Sequence, residues 1–462
     1  MKNIRESGIA PARYYGLFWR WHFFAAIIVI PFVLWQSTTG TLYLWSQWWT
    51  DRAYPELRFV PVTARILSPG MQVAAALDSL PDKDKPGLQL AMAHVHLGTA
   101  MQPNGAPMHM AMAMPAAKGP PVLDVLLSDD PARSTAVVLQ GASGLPYPIF
   151  VNPHTGRVLG SLTPAQWMPG WSRSLHGGWP LGSPGSWLLE LGDGWAILMI
   201  LTGFYLWWPR GRSFPQVLWP RFGSGTRVLL RDLHSSIAVL FSGVFLFFLV
   251  SALPWTSFWG EQLLPKVEAV TGQLSPAGFS TGGAPASQLA YSLPSLDRAV
   301  RDTRARDVRG MLDVRLSPGA GAQWWLANIY TEATDHTLQA DTATGRITSD
   351  FTNAQIPAIP RFVAFGIHVH QADFGVLNLW LNTAFAFSLV WLTVTGVLSW
   401  WIRRPKNKIG APPKRAVQWP MPLTAGALTM CMVLPIFGLS VLVVAIADRL
   451  SQFGFTQRQM AK

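Results

Sequence analysis

Hydrophobic residues gather in five long blocks along this chain, and polar residues fill the segments between them. A helix that crosses a bilayer needs about 20 predominantly apolar residues. The blocks run from Leu17 to Trp45, Ser186 to Trp208, Leu229 to Leu253, Leu377 to Trp401 and Pro422 to Ala447. The pattern therefore predicts five transmembrane helices, and the last of them contains Pro435.

The segments between the blocks differ in length and in charge. Segments 1–20, 209–231 and 402–419 are short and contain four, five and six Lys or Arg residues against a single acid. Loops 46–185 and 254–376 are long and hold nearly all the Asp and Glu. Because short loops rich in Lys and Arg stay in the cytoplasm, we predict a cytoplasmic N-terminus and two large periplasmic loops. With five spans, the C-terminus would lie outside.

Bulk composition is typical of a membrane protein and excludes several soluble classes. Half of the 462 residues are hydrophobic and 13% are charged, whereas about a quarter of a soluble domain is charged. The net charge of +12 is explained by the basic loops, so it does not indicate a nucleic-acid surface. The single cysteine, Cys431, lies in the last block. This excludes outer disulfides, a C-x-x-C-H haem attachment and cysteine-ligated zinc or iron–sulfur sites.

The chain contains an internal repeat of helix, outer segment and helix, in the same orientation twice. The second and fourth blocks end alike: Thr202-Gly203 and Thr395-Gly396, at an offset of 193 residues, are each followed by a pair of Trp residues. Trp residues at span ends are explained as interfacial anchors. The fifth block lies outside the repeat.

Each outer loop contains a strand–turn–strand pattern. The turns read Asn152-Pro-His-Thr-Gly-Arg157 in the first loop and Asp341-Thr-Ala-Thr-Gly-Arg346 in the second. A Gly after polar residues suits a tight turn that needs positive φ. The pattern predicts one α/β domain in each outer loop.

Four of the ten histidines occupy equivalent positions in the two repeats. His22 and His234 begin the first and third spans at the cytoplasmic side, whereas His176 and His370 precede the spans that return from the outer side. Ionisable residues at a span are costly and mark functional sites, and His is a standard axial ligand of haem. We predict two b-type haems, an inner one held by His22 and His234 and an outer one held by His176 and His370. The alternative is that each His snorkels to an interface or satisfies a backbone carbonyl.

His368 is the substitute for His370 as the outer ligand, since both precede the fourth span. Residues two apart on a helix point roughly 200° apart, so the two cannot both face one iron. The spacing from His370 to Gly375 resembles that from His176 to Gly182, which favours His370.

Other charged residues near the histidines have simpler explanations. Arg20 and Arg231 are candidates to neutralise haem propionates, although membrane topology already explains basic residues at these places. Glu190 and Asp193 fall early in the second span, near the outer surface. A solvated helix start is the favoured interpretation, and proton or substrate handling is the alternative.

These motifs, taken in order, resemble the PepSY-associated transmembrane family, which includes iron-regulated membrane proteins and ferric-siderophore reductases. The resemblance covers roughly residues 15–405. It rests on Asn152-Pro-His-Thr-Gly-Arg157, Ser174-Leu-His176, Arg231-Asp-Leu-His234, His370-x4-Gly375 and the two Thr-Gly…Trp-Trp ends. It implies a haem-bearing helical bundle with outer PepSY-like domains and a link to iron uptake. The second PepSY turn departs from the first, with Thr342-Ala343 where the first has Pro153-His154.

The predicted fold class is a membrane all-α bundle of five helices with two periplasmic α+β PepSY-like domains and an internal duplication. The PepSY-like domains cover residues 46–170 and 254–360. The other boundaries are 15–45, 229–253 and 421–447 for the first, third and fifth helices, 171–210 and 361–403 for the outer His segments with the second and fourth helices, and 211–228 and 404–420 for the cytoplasmic loops.

A separate stretch of the first outer loop is rich in Met and His. Thioether and imidazole ligands suit Cu(I), so the candidate copper ligands are Met92, His94, His96, Met108, His109 and Met110. The competing and favoured interpretation is a low-complexity insertion without a metal.

The function predicted from these features is that of a di-haem b oxidoreductase in the bacterial inner membrane. No nucleotide-binding motif is present, and the cytoplasmic loops are too short for a flavin domain. Electrons would therefore come from quinol or a cytoplasmic reductase and reduce a periplasmic ferric siderophore, releasing Fe(II). The siderophore is implied by the family resemblance. Two alternatives are a copper-binding or metal-transport protein and a non-catalytic PepSY regulator of a periplasmic partner.

Overall fold

The computed structural model describes most of the chain, and the chain divides into two compact units. The described residues are 14–80, 124–140, 145–178, 180–210, 213–274, 292–317, 323–329, 336–352, 355–413 and 419–460. Unit 1 contains Met1–Ser37, Trp187–Leu253 and Phe385–Lys462, and unit 2 contains Thr38–Ser186 and Pro254–Ala384.

Four helices among the described residues are long and apolar enough to cross a membrane. They are the first span, Tyr15–Leu44, the second, Ser183–Trp207, the third, Thr226–Ala252, and the fourth, Val376–Arg403. Their ends lie within a few residues of the predicted blocks. Gly182 and Gly375, with φ of 63° and 86°, come directly before the second and fourth spans. The four repeated spans are thus confirmed as long apolar helices.

The predicted fifth span is wrong as a single helix. Residues of this block form two helices, Met421–Val433 and Pro435–Met460, because proline has no N–H to donate and its ring crowds the preceding turn. The chain breaks at Leu434, where φ is −119° and ψ is 78°. The outer position of the C-terminus depended on five spans and stays a prediction.

Shorter helices and turns connect the spans to a β-sheet. They are Ser46–Ala53, Pro55–Arg58, Pro69–Asp78, Met168–His176, Phe214–Leu218, the 3-10 turn Leu253–Trp255, the π-helix Trp259–Leu263, Leu264–Thr271, Leu293–Arg304 and Ala358–Gln371. We refer to Met168–His176 as the His176 helix and to Ala358–Gln371 as the His370 helix.

The strands of unit 2 form one antiparallel sheet to which both halves of the chain contribute. The first half supplies β1 (Asp124–Leu127), β2 (Thr135–Gln140), β3 (Pro146–Val151) and β4 (Val158–Ser161), and the second supplies β5 (Met311–Ser317), β6 (Gln323–Ile329), β7 (His336–Asp341) and β8 (Ile347–Thr352). The order is β4-β3-β2-β1-β5-β6-β7-β8. Because β1 pairs with β5, the two predicted outer domains share a continuous sheet.

Both predicted turns join neighbouring strands. Gly156 and Gly345 have φ of 75° and 68°, the positive values that the sequence pattern predicts. In the first turn His154 is buried, and its two ring nitrogens each lie 2.8 Å from a backbone carbonyl oxygen, of Arg65 and of Pro131. His154 therefore joins three segments of the first half.

The two faces of the sheet have different partners. On one face, the helices Pro69–Asp78 and Leu293–Arg304 contribute Val73 and Leu296 to a fully buried core. On the other face, Phe150 packs with Trp167, directly before the His176 helix, and Trp325 packs with Ala364 of the His370 helix. The sheet thus supports both helices that carry the predicted outer ligands.

Candidate histidine sites

The first inner histidine is held against the second span by a carbonyl, a threonine and a glycine. The Nδ1 atom of His22 lies 3.0 Å from the carbonyl oxygen of Met199 and 3.3 Å from the hydroxyl of Thr202. Its ring packs on Gly203, where an added Cβ would lie 3.1 Å from His22 Cε1. Residues spaced by three and four along a helix share one face, so the second span presents all three groups to the ring.

The second inner histidine has the same contacts on the fourth span. The Nδ1 atom of His234 lies 3.1 Å from the carbonyl oxygen of Leu392 and 3.1 Å from the hydroxyl of Thr395. An added Cβ on Gly396 would lie 3.4 Å from His234 Cε1. These three partners are displaced by 193 residues from those of His22, the offset seen in the sequence.

The carbonyl partners determine the tautomer of both inner rings. A carbonyl oxygen only accepts hydrogen bonds, so Nδ1 must carry the proton and donate, and Nε2 keeps its lone pair in the neutral ring. The hydroxyls of Thr202 and Thr395 donate to carbonyls of their own helices, of Leu198 and of Trp391, each at 2.8 Å. Orientation of a ligating imidazole through its other nitrogen is the usual arrangement in metalloproteins.

The outer histidines face each other within unit 2. His176 and His370 have ring centroids 5.9 Å apart and ring planes inclined by 72°. His176 Nδ1 lies 3.0 Å from the hydroxyl of Thr39, and an added Cβ on Gly40 would lie 3.1 Å from its Cε1. Burial, and then the proximity of His176, lowers the pKa of His370 to about 3. His370 is therefore neutral at physiological pH, which is the form that binds metals.

The separation of the outer rings fits two axial ligands of one metal centre. An imidazole nitrogen binds a metal at about 2 Å, and the ring centre lies about 1 Å farther, so two opposed imidazoles have centroids about 6 Å apart. The value of 5.9 Å for His176 and His370 agrees with that distance.

His368 points to a different partner from His370. Its Nδ1 atom lies 2.8 Å from Asp373 Oδ2, whereas the ring of His370 contacts His176. The two side chains diverge because they are two residues apart on one helix. The geometry favours His370 as the outer ligand.

A comparison with known protein families agrees with this architecture. A model described as the PepSY-associated TM region matches residues 19–403 of the chain. The chain belongs to this family. No curated protein shows a significant match to it. In this PepSY-associated protein, the matched region includes all four histidines, and it confirms the resemblance drawn from the sequence.

The basic residues near the inner pair of the PepSY-associated protein have partners within the protein. Arg20 donates to the carbonyl of Pro412 at 2.6 Å, and Arg231 pairs with Asp232 at 3.0 Å. Their predicted contact with propionates stays a prediction.

The solvated helix start predicted for the second span is wrong for Glu190. This side chain is 1% exposed, and it lies more than one turn inside a helix that begins at Ser183, on a side that faces the protein. Asp193 is partly buried in the same helix.

The candidate copper ligands, Met92, His94, His96, Met108, His109 and Met110, lie outside the described residues. In the described ranges, no group of three or more His, Cys, Asp or Glu side chains is placed to hold a metal ion. The copper prediction therefore stays a prediction.

Sequence reasoning missed the partners that orient the rings. Thr202 and Thr395 belong to the repeated Thr-Gly motif, but the motif alone does not indicate that their hydroxyls contact the histidine rings. Thr39 had a weaker signal, since it stands beside the small residue Gly40.

The π-helix that follows the third span contains a carboxyl group with a raised pKa. Burial raises the pKa of Glu261 from 4.5 to about 7, although a hydrogen bond from Ser257 opposes the shift. The folded protein must therefore ionise this partly buried group as pH rises, and it loses stability between about pH 4.5 and pH 7. We expect Glu261→Gln to raise the melting temperature by a few degrees at pH 8 and to change it little at pH 5.

Thermal unfolding in detergent at both pH values tests this expectation. The exposed Glu56 provides the matched control, because Glu56→Gln should have the same small effect at each pH. An equal shift for Glu261→Gln at pH 5 and pH 8 would contradict the assignment.

Proposed function

We propose that this PepSY-associated protein is a di-haem b oxidoreductase of the bacterial inner membrane that reduces ferric siderophores on the periplasmic side. The observation that carries the proposal is the close outer pair, in which His176 and His370 are 5.9 Å apart between ring centroids. Two imidazoles at this separation suit one low-spin haem iron. Haem bound there supplies one-electron redox chemistry.

The inner pair supports a second haem. His22 and His234 each donate from Nδ1 to a carbonyl, on the second and fourth spans, which leaves Nε2 of each ring for iron. Both histidines belong to unit 1. Each proposed haem would take one ligand from each half of the chain, as an internal duplication predicts.

The direction of electron flow follows from the proposed topology. The short basic segments favour a cytoplasmic position for the inner pair, where quinol or a cytoplasmic reductase would donate electrons. One electron delivered at the outer pair reduces Fe(III) in the chelate to Fe(II). Siderophore oxygen ligands are hard and prefer Fe(III), so reduction weakens the complex and releases iron. The assignment of a siderophore as the substrate rests on the family.

A visible absorption spectrum of the purified protein tests the proposal. We expect a low-spin b-type spectrum in the oxidised and dithionite-reduced protein, with two haems per polypeptide. Addition of a ferric hydroxamate to the reduced protein should reoxidise the haems and yield Fe(II) that a ferrous chelator captures. A protein without haem that binds Cu(I) stoichiometrically would instead favour the metal-binding alternative, and reduced haem that ferric chelates do not reoxidise would contradict the substrate.

A further inference from the structure

The end of the His370 helix is attached to the fourth span by two asparagine side chains. The Nδ2 amide of Asn382 donates to the backbone carbonyls of Val369, at 2.7 Å, and of His370, at 3.2 Å. The Nδ2 amide of Asn378 donates to the carbonyl of Val369 and to Oδ1 of Asn382, both at 3.1 Å. We call Asn378 and Asn382 the carboxamide clamp.

The clamp binds two carbonyl groups, of Val369 and of His370, in the last turn of the helix. The last four carbonyls of an α-helix have no N–H donor within that helix. Ala372, in the left-handed conformation with φ of 64°, donates its backbone N–H to the carbonyls of His368 and Val369. The carbonyl of His370 is reached by Asn382. The clamp therefore acts on the backbone of the candidate ligand itself.

Polar side chains at this place in a span are costly without a specific role. Asn382 is 4% exposed, and a buried amide costs free energy unless its hydrogen bonds are made. The four bonds of the clamp satisfy the amides and fix the start of the fourth span against the end of the His370 helix. Because a side chain occupies few rotamers on a given backbone, fixing this helix end restricts the direction of the His370 ring.

The first half of the chain uses a different device at the corresponding place. At the offset of 193 residues, Asn378 corresponds to Gly185 and Asn382 to Leu189. An added Cβ on Gly185 would overlap the carbonyl of Gly178, so the second span lies directly on the backbone that follows His176. The two outer histidines are thus positioned differently, by close backbone contact and by the clamp.

We propose that Asn378 and Asn382 are positioning residues that set the orientation of His370 toward His176. This inference rests on the proposed function, since the ring orientation matters only if both histidines bind the outer haem. The clamp would set the angle between the two imidazole planes and, through it, the electronic properties of the outer haem.

Replacing Asn382 by Leu, a side chain of similar size without a donor, tests the proposal in the full-length protein. Loss of a partner behind a metal ligand typically weakens metal binding by about 10–100-fold. We therefore expect weaker retention of the outer haem, a changed electron paramagnetic resonance signal and a shifted midpoint potential for it, with the inner haem unchanged. The Asn378→Leu variant, which keeps the bond from Asn382 to His370, should show smaller changes of the same kind.

A structural asparagine elsewhere in unit 2 provides the control. Asn152 accepts hydrogen bonds from the backbone N–H groups of His154 and Thr155 in the first turn, so Asn152→Ala should reduce stability without altering the outer haem signal. A wild-type signal and potential in both Asn382→Leu and Asn378→Leu would overturn the clamp. A wild-type protein without haem would refute the proposed function, and the positioning role with it.

Discussion

Replacing His22 or His234 by alanine is expected to remove one of two haems and to leave the other in place. The inner and outer histidines have no contact residue in common. The inner rings contact the second and fourth spans, at Met199 and Thr202 and at Leu392 and Thr395. The ring of His176 contacts the first span, at Thr39 and Gly40. On the first span, His22 and Gly40 are eighteen residues apart, or about 27 Å of helix at 1.5 Å per residue. One haem cannot use ligands at both places.

The outer variants should show the opposite pattern. His176→Ala or His370→Ala is expected to remove the other haem and to abolish reduction of outer ferric chelates, while the inner haem stays. Haem per polypeptide, measured for the four single variants together with their reduced spectra, decides the point. His368→Ala is the matched control: because His368 is bonded to Asp373, this variant should retain both haems. Loss of the same spectral component from His22→Ala and His176→Ala would refute two separate sites.

Replacing Gly203 by leucine is expected to remove the inner haem with both inner histidines still present. Even a Cβ at this position would lie 3.1 Å from His22 Cε1, which is tighter than ordinary contact, and the rest of a leucine side chain would occupy the space of the ring. His22 would then lose the position at which it donates to Met199. We expect at least the tenfold loss of haem affinity that accompanies a displaced ligand.

A glycine in another span provides the control for a general effect of placing leucine in a membrane helix. Gly243 lies in the third span, is exposed and has nothing within 4 Å of an added Cβ, so Gly243→Leu should keep both haems. Haem content and reduced spectra of the two purified variants provide the comparison. Two haems in Gly203→Leu would show that the glycine is not needed for the inner site.

The four long spans were predictable because each is a continuous apolar run, and hydrophobicity alone decides that a helix enters the bilayer. The sequence shows Pro435, but it does not show whether this proline kinks the helix or ends it, since proline does either in membrane helices. The pairing of β1 with β5 was not predictable. It joins strands that are far apart in the sequence, and the residues of neither strand indicate which strand lies beside it.

The approach of His176 to His370 was predictable because the repeat puts one histidine before the returning span in each half. The carboxamide clamp was not, since Asn378 and Asn382 correspond to Gly185 and Leu189 in the other half and no repeated pattern marks them. Burial of Glu190 was likewise missed, because the sequence places a residue along a helix but does not specify which side faces neighbouring elements.

The pairing of β1 with β5 has a consequence for synthesis of the protein. Residues 124–127 emerge from the ribosome long before residues 312–315, so β1 exists for a time as an unpaired edge. Exposed edges of this kind recruit strands from other chains. The first half would thus be vulnerable to aggregation until the third span is inserted and the second half follows. A truncated chain that ends before β5 should depend on chaperones or proteases to a degree that the full-length chain does not.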